Sequence, residues 1–148
     1  MKIKIAFICI GNSCRSQIAE GFARQMGKEL LDKKIEIYSA GTHPAYGVSP
    51  DAVAVMEEKG IDITSQYPKT ISEIPTDPDI VITMGCGVEC PYLPSSCRED
   101  WGIEDPVDMP VEFFREVRDI IEPKVKYLID SIRDSDSLEE VIEKLKPK

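Results

Sequence analysis

The sequence predicts a single-domain α/β fold, a doubly wound four-stranded parallel sheet flanked by helices, and three observations predict it. Residues 2–9 (Lys2-Ile3-Lys4-Ile5-Ala6-Phe7-Ile8-Cys9) begin with alternation and become continuously apolar, the pattern of a strand buried on both faces of a parallel sheet. An amphipathic helix follows it directly, and strand-then-helix order recurs along the chain. The 148 residues are enough to bury one core without disulfides or metals.

Each element follows from its local pattern. From Ser16 to Leu31, Ile18, Ala19, Phe22, Ala23, Met26 and Leu30 recur at three- and four-residue spacing and form one apolar stripe of a helix. Ile35-Glu36-Ile37-Tyr38 reads as a second strand, closed by Ser39-Ala40-Gly41. Ser49-Pro50-Asp51 then supplies a cap and a first-turn proline for a helix running to Lys59, with Gly60 as its stop.

Asp79 to Met84 reads as a third buried strand, whereas Gly85 to Pro110 is rich in proline and cysteine and shows no strong periodicity. The fourth strand has no pattern of its own. A long helix follows, with Phe113, Phe114, Val117, Ile120, Ile121, Val125, Leu128, Ile129 and Ile132 on its buried face and Pro123 as an expected kink. Asp134-Ser135-Asp136 breaks it, and Ser137-Leu138-Glu139-Glu140 resembles a capping box opening a last helix to about Leu145.

Composition restricts the function. The net charge of −9 argues against a nucleic-acid partner or an anionic-membrane surface, so an anionic ligand has to be held locally, by backbone N–H groups and a well-placed arginine. No stretch approaches the roughly 18 apolar residues of a membrane span, and Ile3 to Ile10 is too short and lacks a cleavage site. The expectation is a cytoplasmic monomer. Five cysteines, an odd number, speak against a static disulfide framework and leave catalysis, redox exchange or metal binding.

Cys9-Ile10-Gly11-Asn12-Ser13-Cys14-Arg15-Ser16 lies where the first strand gives way to the first helix. Such a turn directs successive N–H groups, here those of residues Ile10 to Arg15, and the positive helix end at one point, which suits a tetrahedral oxyanion. Arg15 adds a planar fork for two of its oxygens, Ser16 can donate to the Cys9 sulfur, and Asn12 suits a left-handed position inside the turn. A buried strand-end cysteine is the bland alternative for Cys9. The arginine, glycine and serine that accompany it favour a nucleophile in an anion-binding loop.

Cys9 to Ser16 resembles the C-x5-R-S signature loop of the low-molecular-weight protein tyrosine phosphatase superfamily, and the continuation Ser16-Gln17-Ile18-Ala19-Glu20-Gly21 is similar to its thioredoxin-coupled arsenate reductases, since the phosphatases more often carry proline after the serine. The likeness extends through Tyr38-Ser39-Ala40-Gly41-Thr42, Val48-Ser49-Pro50, Gly60-Ile61-Asp62-Ile63 and Asp100-Trp101-Gly102-Ile103-Glu104-Asp105-Pro106, covering roughly residues 3 to 132. It implies a low-molecular-weight phosphatase-like catalytic domain at 1–133, with 134–148 as a helical extension of that domain.

The resemblance implies that Cys9 attacks arsenate, that Asp105 protonates the leaving oxygen, and that Cys86 and Cys90 complete a disulfide relay reduced by a thioredoxin-like partner. Gly85 and Gly87 give Cys86 backbone freedom. The three-residue gap between Cys86 and Cys90 is shorter than in the better-known members, which have six, and Cys90 with Cys97 forms a second-ranked pair. Cys14 is either a protective partner for Cys9 under oxidation or a thiol packed beneath the loop.

Many such reductases bind potassium beside the loop. Asn12, Glu20 and Ser39 match its ligands, but Lys69 falls near the remaining aspartate, so its ammonium is expected to replace the cation. No metal or cofactor is expected. A zinc site from Cys86, Cys90, Cys97 and His43 lacks paired C-x2-C spacing, and His43 is assigned no role. Tyr46, Tyr92 and Trp101 are candidates for the pocket mouth or for a small satellite core.

The competing readings are a phosphatase or phosphomonoesterase using Cys9, Arg15 and Asp105 on phosphate, and a non-catalytic oxyanion or redox sensor. The cysteines outside the loop and Gln17 favour the reductase, as does the lack of a tyrosine pair after Asp105-Pro106.

Overall fold

The structure, a computed structural model, describes residues 2–85 and 93–146. Four parallel strands, β1 (Ile3–Cys9), β2 (Ile35–Gly41), β3 (Ile80–Thr83) and β4 (Cys97–Asp100), lie in the order β2-β1-β3-β4. The helices are α1 (Arg15–Met26), α2 (Pro50–Glu57), α3 (Val111–Arg133) and α4 (Leu138–Leu145), with 3₁₀ turns at Lys28–Leu30 and Ile71–Glu73. From β1 the chain steps outward to β2, then returns to the other side of β1 for β3. The winding therefore reverses beside β1, and the crevice at the carboxyl ends of β1 and β3 is where such sheets hold ligands.

Alternation along the strands divides the core. Ile3, Ile5, Phe7 and Cys9 of β1, with Ile35, Ile37, Ile80 and Ile82, join one cluster with the apolar stripes of the helices. Ala6, Ile8, Ala40 and Val81 face the other way, beneath Ile71, Ile74, Tyr38 and Leu93. β1 is buried on both faces because it is interior to the sheet, which is why its sequence is continuously apolar.

Local chemistry sets the ends of the helices. Pro50 opens α2, and the Ser137 hydroxyl accepts the Glu140 N–H at 3.2 Å to open α4. The expected helix to Leu31 stops at Met26, because Gly27 is the cap and its N–H bonds to the Ala23 carbonyl. A Cβ at Gly27 would lie 2.8 Å from Ile35 Cδ1, so the chain turns there to bring β2 alongside. Pro123 sits inside α3 without ending it, and α3 runs unbroken for 23 residues.

The fourth strand falls within the stretch that showed no periodicity. β4 is a short edge strand whose residues alternate only between half-buried and exposed, and three of its four side chains are charged, so it carries almost no apolar signal. Among the described residues no helix is long and apolar enough to cross a membrane. Val141 of α4 is fully buried in the main core, and Tyr127 of α3 donates to the Lys144 carbonyl at 2.8 Å.

Candidate active site

Cys9 ends β1 and Arg15 opens α1, so residues 10–14 must turn the chain within one short loop. Asn12 makes that turn with φ of +49°, a region few residues other than glycine enter. The carbonyls of this loop point outward, each toward a donor. Those of Cys9, Ile10, Gly11 and Ser13 accept N–H bonds from Thr42, His43, Ala45 and Ser49 at 2.8–3.3 Å, Cys14 accepts from Ile18, and Asn12 accepts from the Gln17 side chain at 2.9 Å. Segment 42–49 thus holds the loop from outside. Gly41 lets it approach, since a Cβ there would lie 2.5 Å from the Ile10 carbonyl oxygen.

With the carbonyls turned out, the amides turn in. Among the described residues, the backbone N–H groups of Gly11, Ser13, Cys14 and Arg15 meet no protein acceptor, leaving four donors beside the positive end of a twelve-residue helix. Into the same loop points Cys9 Sγ, 2.8 Å from Ser16 Oγ and 3.1 Å from the Asn12 N–H. Both contacts suit a sulfur carrying negative charge.

Asn12 is the hub behind the nucleophile. Its Nδ2 donates to Ser16 Oγ at 2.7 Å and to Ser39 Oγ at 3.0 Å, and its Oδ1 accepts the Lys69 N–H at 2.9 Å. The Ser39 hydroxyl in turn donates to Glu20, which is 4% exposed and also pairs with Arg24 Nε at 2.8 Å. The Lys69 ammonium lies 3.9 Å from Glu20 Oε1, donates to the Tyr67 carbonyl at 2.8 Å and stands 4.5 Å from the Tyr67 ring centre. Burial pulls the Lys69 amine below its ordinary value, with Glu20 opposing. The set does not fit a bound cation, because Glu20 and the Asn12 Oδ1 already meet N–H, O–H and ammonium donors.

Arg15, 3% exposed, spans the crevice. Its Nη1 donates to the carbonyls of Met84 at 2.7 Å and Ile103 at 2.8 Å, and its Nη2 lies 3.5 Å from Asp105 Oδ2. It therefore joins the end of β3 to the segment after β4 and holds Asp105 at the mouth. Asp105 is half-exposed, and its Oδ1 accepts the Val107 N–H at 3.1 Å.

The structure brings together Cys9, the loop residues Ile10 to Arg15, Ser16 and Asp105. Cys86, Cys90 and Tyr92 lie outside the described residues. Cys97 does not reach the site: it pairs with Ile80, which pairs with Ile5, so it sits four residues, about 13 Å along the strand, from the level of Cys9. Its partner in the second-ranked pair, Cys90, lies outside the described residues. Burial pushes the Cys97 and Cys14 thiols up, and Cys14 packs beneath the loop with Ser13 Oγ 3.6 Å away. Among the described residues no cluster of metal-ligating side chains occurs.

Trp101 does not line the mouth, because it packs on Phe7 at 6.0 Å between ring centres and its Nε1 donates to Glu99. Tyr46 stands fully exposed. Sequence reasoning treated Gln17 as a mark of kinship and missed its contacts. It is wholly buried, holding Asn12 and Tyr67 through Nε2, with Gln66 donating to its Oε1.

A cysteine and an arginine at either end of a loop of inward amides, at the switch point of a parallel sheet, define a phosphatase-type anion loop. The low molecular weight phosphotyrosine protein phosphatase family matches residues 4–140, and the chain belongs to that family. Within it, the chain is 42% identical over 133 residues to the glutaredoxin arsenate reductase of Synechocystis, spanning 87% of this chain and 98% of the relative. A solved arsenate reductase in its phosphate-binding state matches with a TM-score of 0.77 at 41% identity, over 88% of this chain and 98% of that one. The thioredoxin-dependent arsenate reductase of Corynebacterium glutamicum matches with a TM-score of 0.71 at 30% identity, over 90% of this chain and 63% of that one.

Proposed function

We propose that the protein reduces arsenate to arsenite, with Cys9 as nucleophile and a Cys86–Cys90 disulfide relay discharged by a thioredoxin-like reductant. The observation that carries this reading is the loop itself, where a cysteine sulfur held by Ser16 and Asn12 lies among four free amides and Arg15 opens the helix that follows. The arsenate reductases among its relatives support the choice of substrate.

Arsenate rests its oxygens on the loop amides and on Arg15. The Cys9 thiolate attacks arsenic, and one oxygen leaves as water with a proton from Asp105, giving a Cys9 sulfur–arsenic bond. The Cys86 thiolate then attacks Cys9 Sγ. The sulfur–arsenic electron pair stays on arsenic, which departs as arsenite, and a Cys9–Cys86 disulfide forms. Cys90 attacks Cys86, Cys9 leaves as thiolate, and the Cys86–Cys90 disulfide takes two electrons from a protein dithiol.

Chain adjacency supports Cys86 as the second thiol. It follows Met84, whose carbonyl is bonded to Arg15, by two residues, with Gly85 between them at φ of +96°. One relative is a glutaredoxin arsenate reductase and another a thioredoxin-dependent one, so both dithiol proteins belong in the assay. Cys86→Ser should abolish arsenite formation under turnover while sparing hydrolysis of a chromogenic phosphate ester. Equal loss of both activities contradicts the relay.

Phosphate-ester hydrolysis is the second reading, favoured by the family match and by the Arg15–Asp105 pair, which serve either oxyanion. It predicts efficient ester turnover indifferent to Cys86 and Cys90.

A further inference from the structure

Of the six loop carbonyls from Cys9 to Cys14, five are held outward by backbone N–H groups and one, that of Asn12, by a side chain, Gln17. This carbonyl matters more than its neighbours. Asn12 sits at φ of +49°, in a region where little else fixes the orientation of the following peptide, and every peptide here is trans. In a trans peptide the C=O and N–H point in opposite directions. A carbonyl turned toward Gln17 therefore sends the Ser13 N–H the other way, into the cradle. The reverse orientation would place a carbonyl oxygen where the anion's oxygens must lie, exchanging a donor for a repulsive dipole.

We propose that Gln17 is a positioning residue for oxyanion capture, whose amide locks the Asn12–Ser13 peptide with its carbonyl out of the cradle and its N–H within it. The inference rests on the reading of residues 9–16 as an anion-binding loop. Gln17 is equipped for the task. It is wholly buried on the first turn of α1, and its Nε2 bridges the Asn12 carbonyl at 2.9 Å and the Tyr67 carbonyl at 3.0 Å. The two carbonyls facing Nε2 fix which end of the amide faces the loop, and its Oε1 is left to accept from Gln66 Nε2 at 2.8 Å.

Because Gln17 touches no reacting atom, its loss should weaken anion binding without changing the nucleophile. The readout is protection of Cys9 from iodoacetamide by inorganic phosphate, followed on the Cys9 peptide by mass spectrometry. In Gln17→Met the phosphate concentration giving half protection should rise about tenfold or more, the expected effect of losing a buried hydrogen bond that aims a donor. The alkylation rate without phosphate should stay within about twofold, since the Ser16 and Asn12 N–H contacts to sulfur remain.

Gln17→Glu provides a second variant, retaining the acceptor for Gln66 but losing the donor to Asn12, and should behave alike. Gln66→Leu keeps that donor and should shift half protection by no more than about twofold. Unchanged protection in both Gln17 variants overturns the inference, as does parallel loss of protection, melting temperature and free alkylation rate, which marks a purely structural role. Failure of phosphate to protect the unaltered protein instead overturns the anion-loop reading beneath it.

Discussion

The two loops that meet at Arg15 are built to different standards. Residues 9–14 have every carbonyl tethered, with a fully buried hub at Asn12 and a nucleophile 2% exposed. The segment after β4 offers Asp105 half-exposed, held by Arg15 at 3.5 Å and by the Val107 amide. On the proposed function the difference follows from their tasks. A cradle that stabilises a charge must be organised before the anion arrives, whereas an acid that hands over a proton and is reprotonated needs access to water.

Arg15→Ala removes the group shared by both loops and takes the guanidinium bond from the Met84 and Ile103 carbonyls, so arsenite formation should fall about 10³-fold and phosphate protection of Cys9 should be lost with it. Asp105→Asn should act on one side only, lowering kcat about 10²-fold while phosphate protection stays within about twofold. If protection were lost as well, Asp105 would belong to the binding loop and the contrast would fail.

Lys69→Met tests the support behind the cradle. Glu20 would keep Arg24 but lose its ammonium neighbour, and stability should fall by about 1–2 kcal/mol in urea unfolding, below the full penalty for breaking a buried pair. The unaltered protein should melt at the same temperature in potassium as in sodium, since the Lys69 ammonium already stands beside Glu20. A clear rise in potassium would contradict that.

The smallest effect lies outside both loops. Arg115 and Arg118 of α3 hold the Glu58 carboxyl down from an ordinary 4.5 to about 2, tying the end of α2 to α3. A carboxylate whose pKa is lowered in the folded state contributes stability above its unfolded value and loses it as pH falls toward its folded one. Glu58→Gln should therefore lower the urea midpoint slightly near neutrality, with the difference from the unaltered protein vanishing between about pH 4.5 and 2 and no change in arsenite formation.

What the sequence showed depended on how much each feature owes to near neighbours. β1, β3 and the stripes of α1 and α3 were legible because burial writes apolar residues at fixed spacing, although Ile120, expected on the buried face of α3, stands exposed. Cys9 to Ser16 was legible because its chemistry lies within eight consecutive residues. β4 was not, since a short charged edge strand needs only β3 beside it. The tethering of the loop by residues 42–49 left no trace either, because backbone N–H groups make those bonds whatever the side chains are. Gln17 was visible as a residue, but its bonds to Asn12 and Tyr67 are joined only by the fold. The core packing of Trp101 had no local sign, since Phe7 lies far away in the chain.

The central claim is that an oxyanion bonded to Cys9 is converted by cysteine chemistry rather than hydrolysed. The most direct measurement treats fully reduced protein with arsenate, without any reductant, then quantifies arsenite and maps disulfides by mass spectrometry. The expected result is about one arsenite per chain, a Cys86–Cys90 disulfide that forms only with arsenate, and neither product in Cys9→Ser. Reduced cysteines and no arsenite, in a protein that hydrolyses phosphate esters, would contradict it.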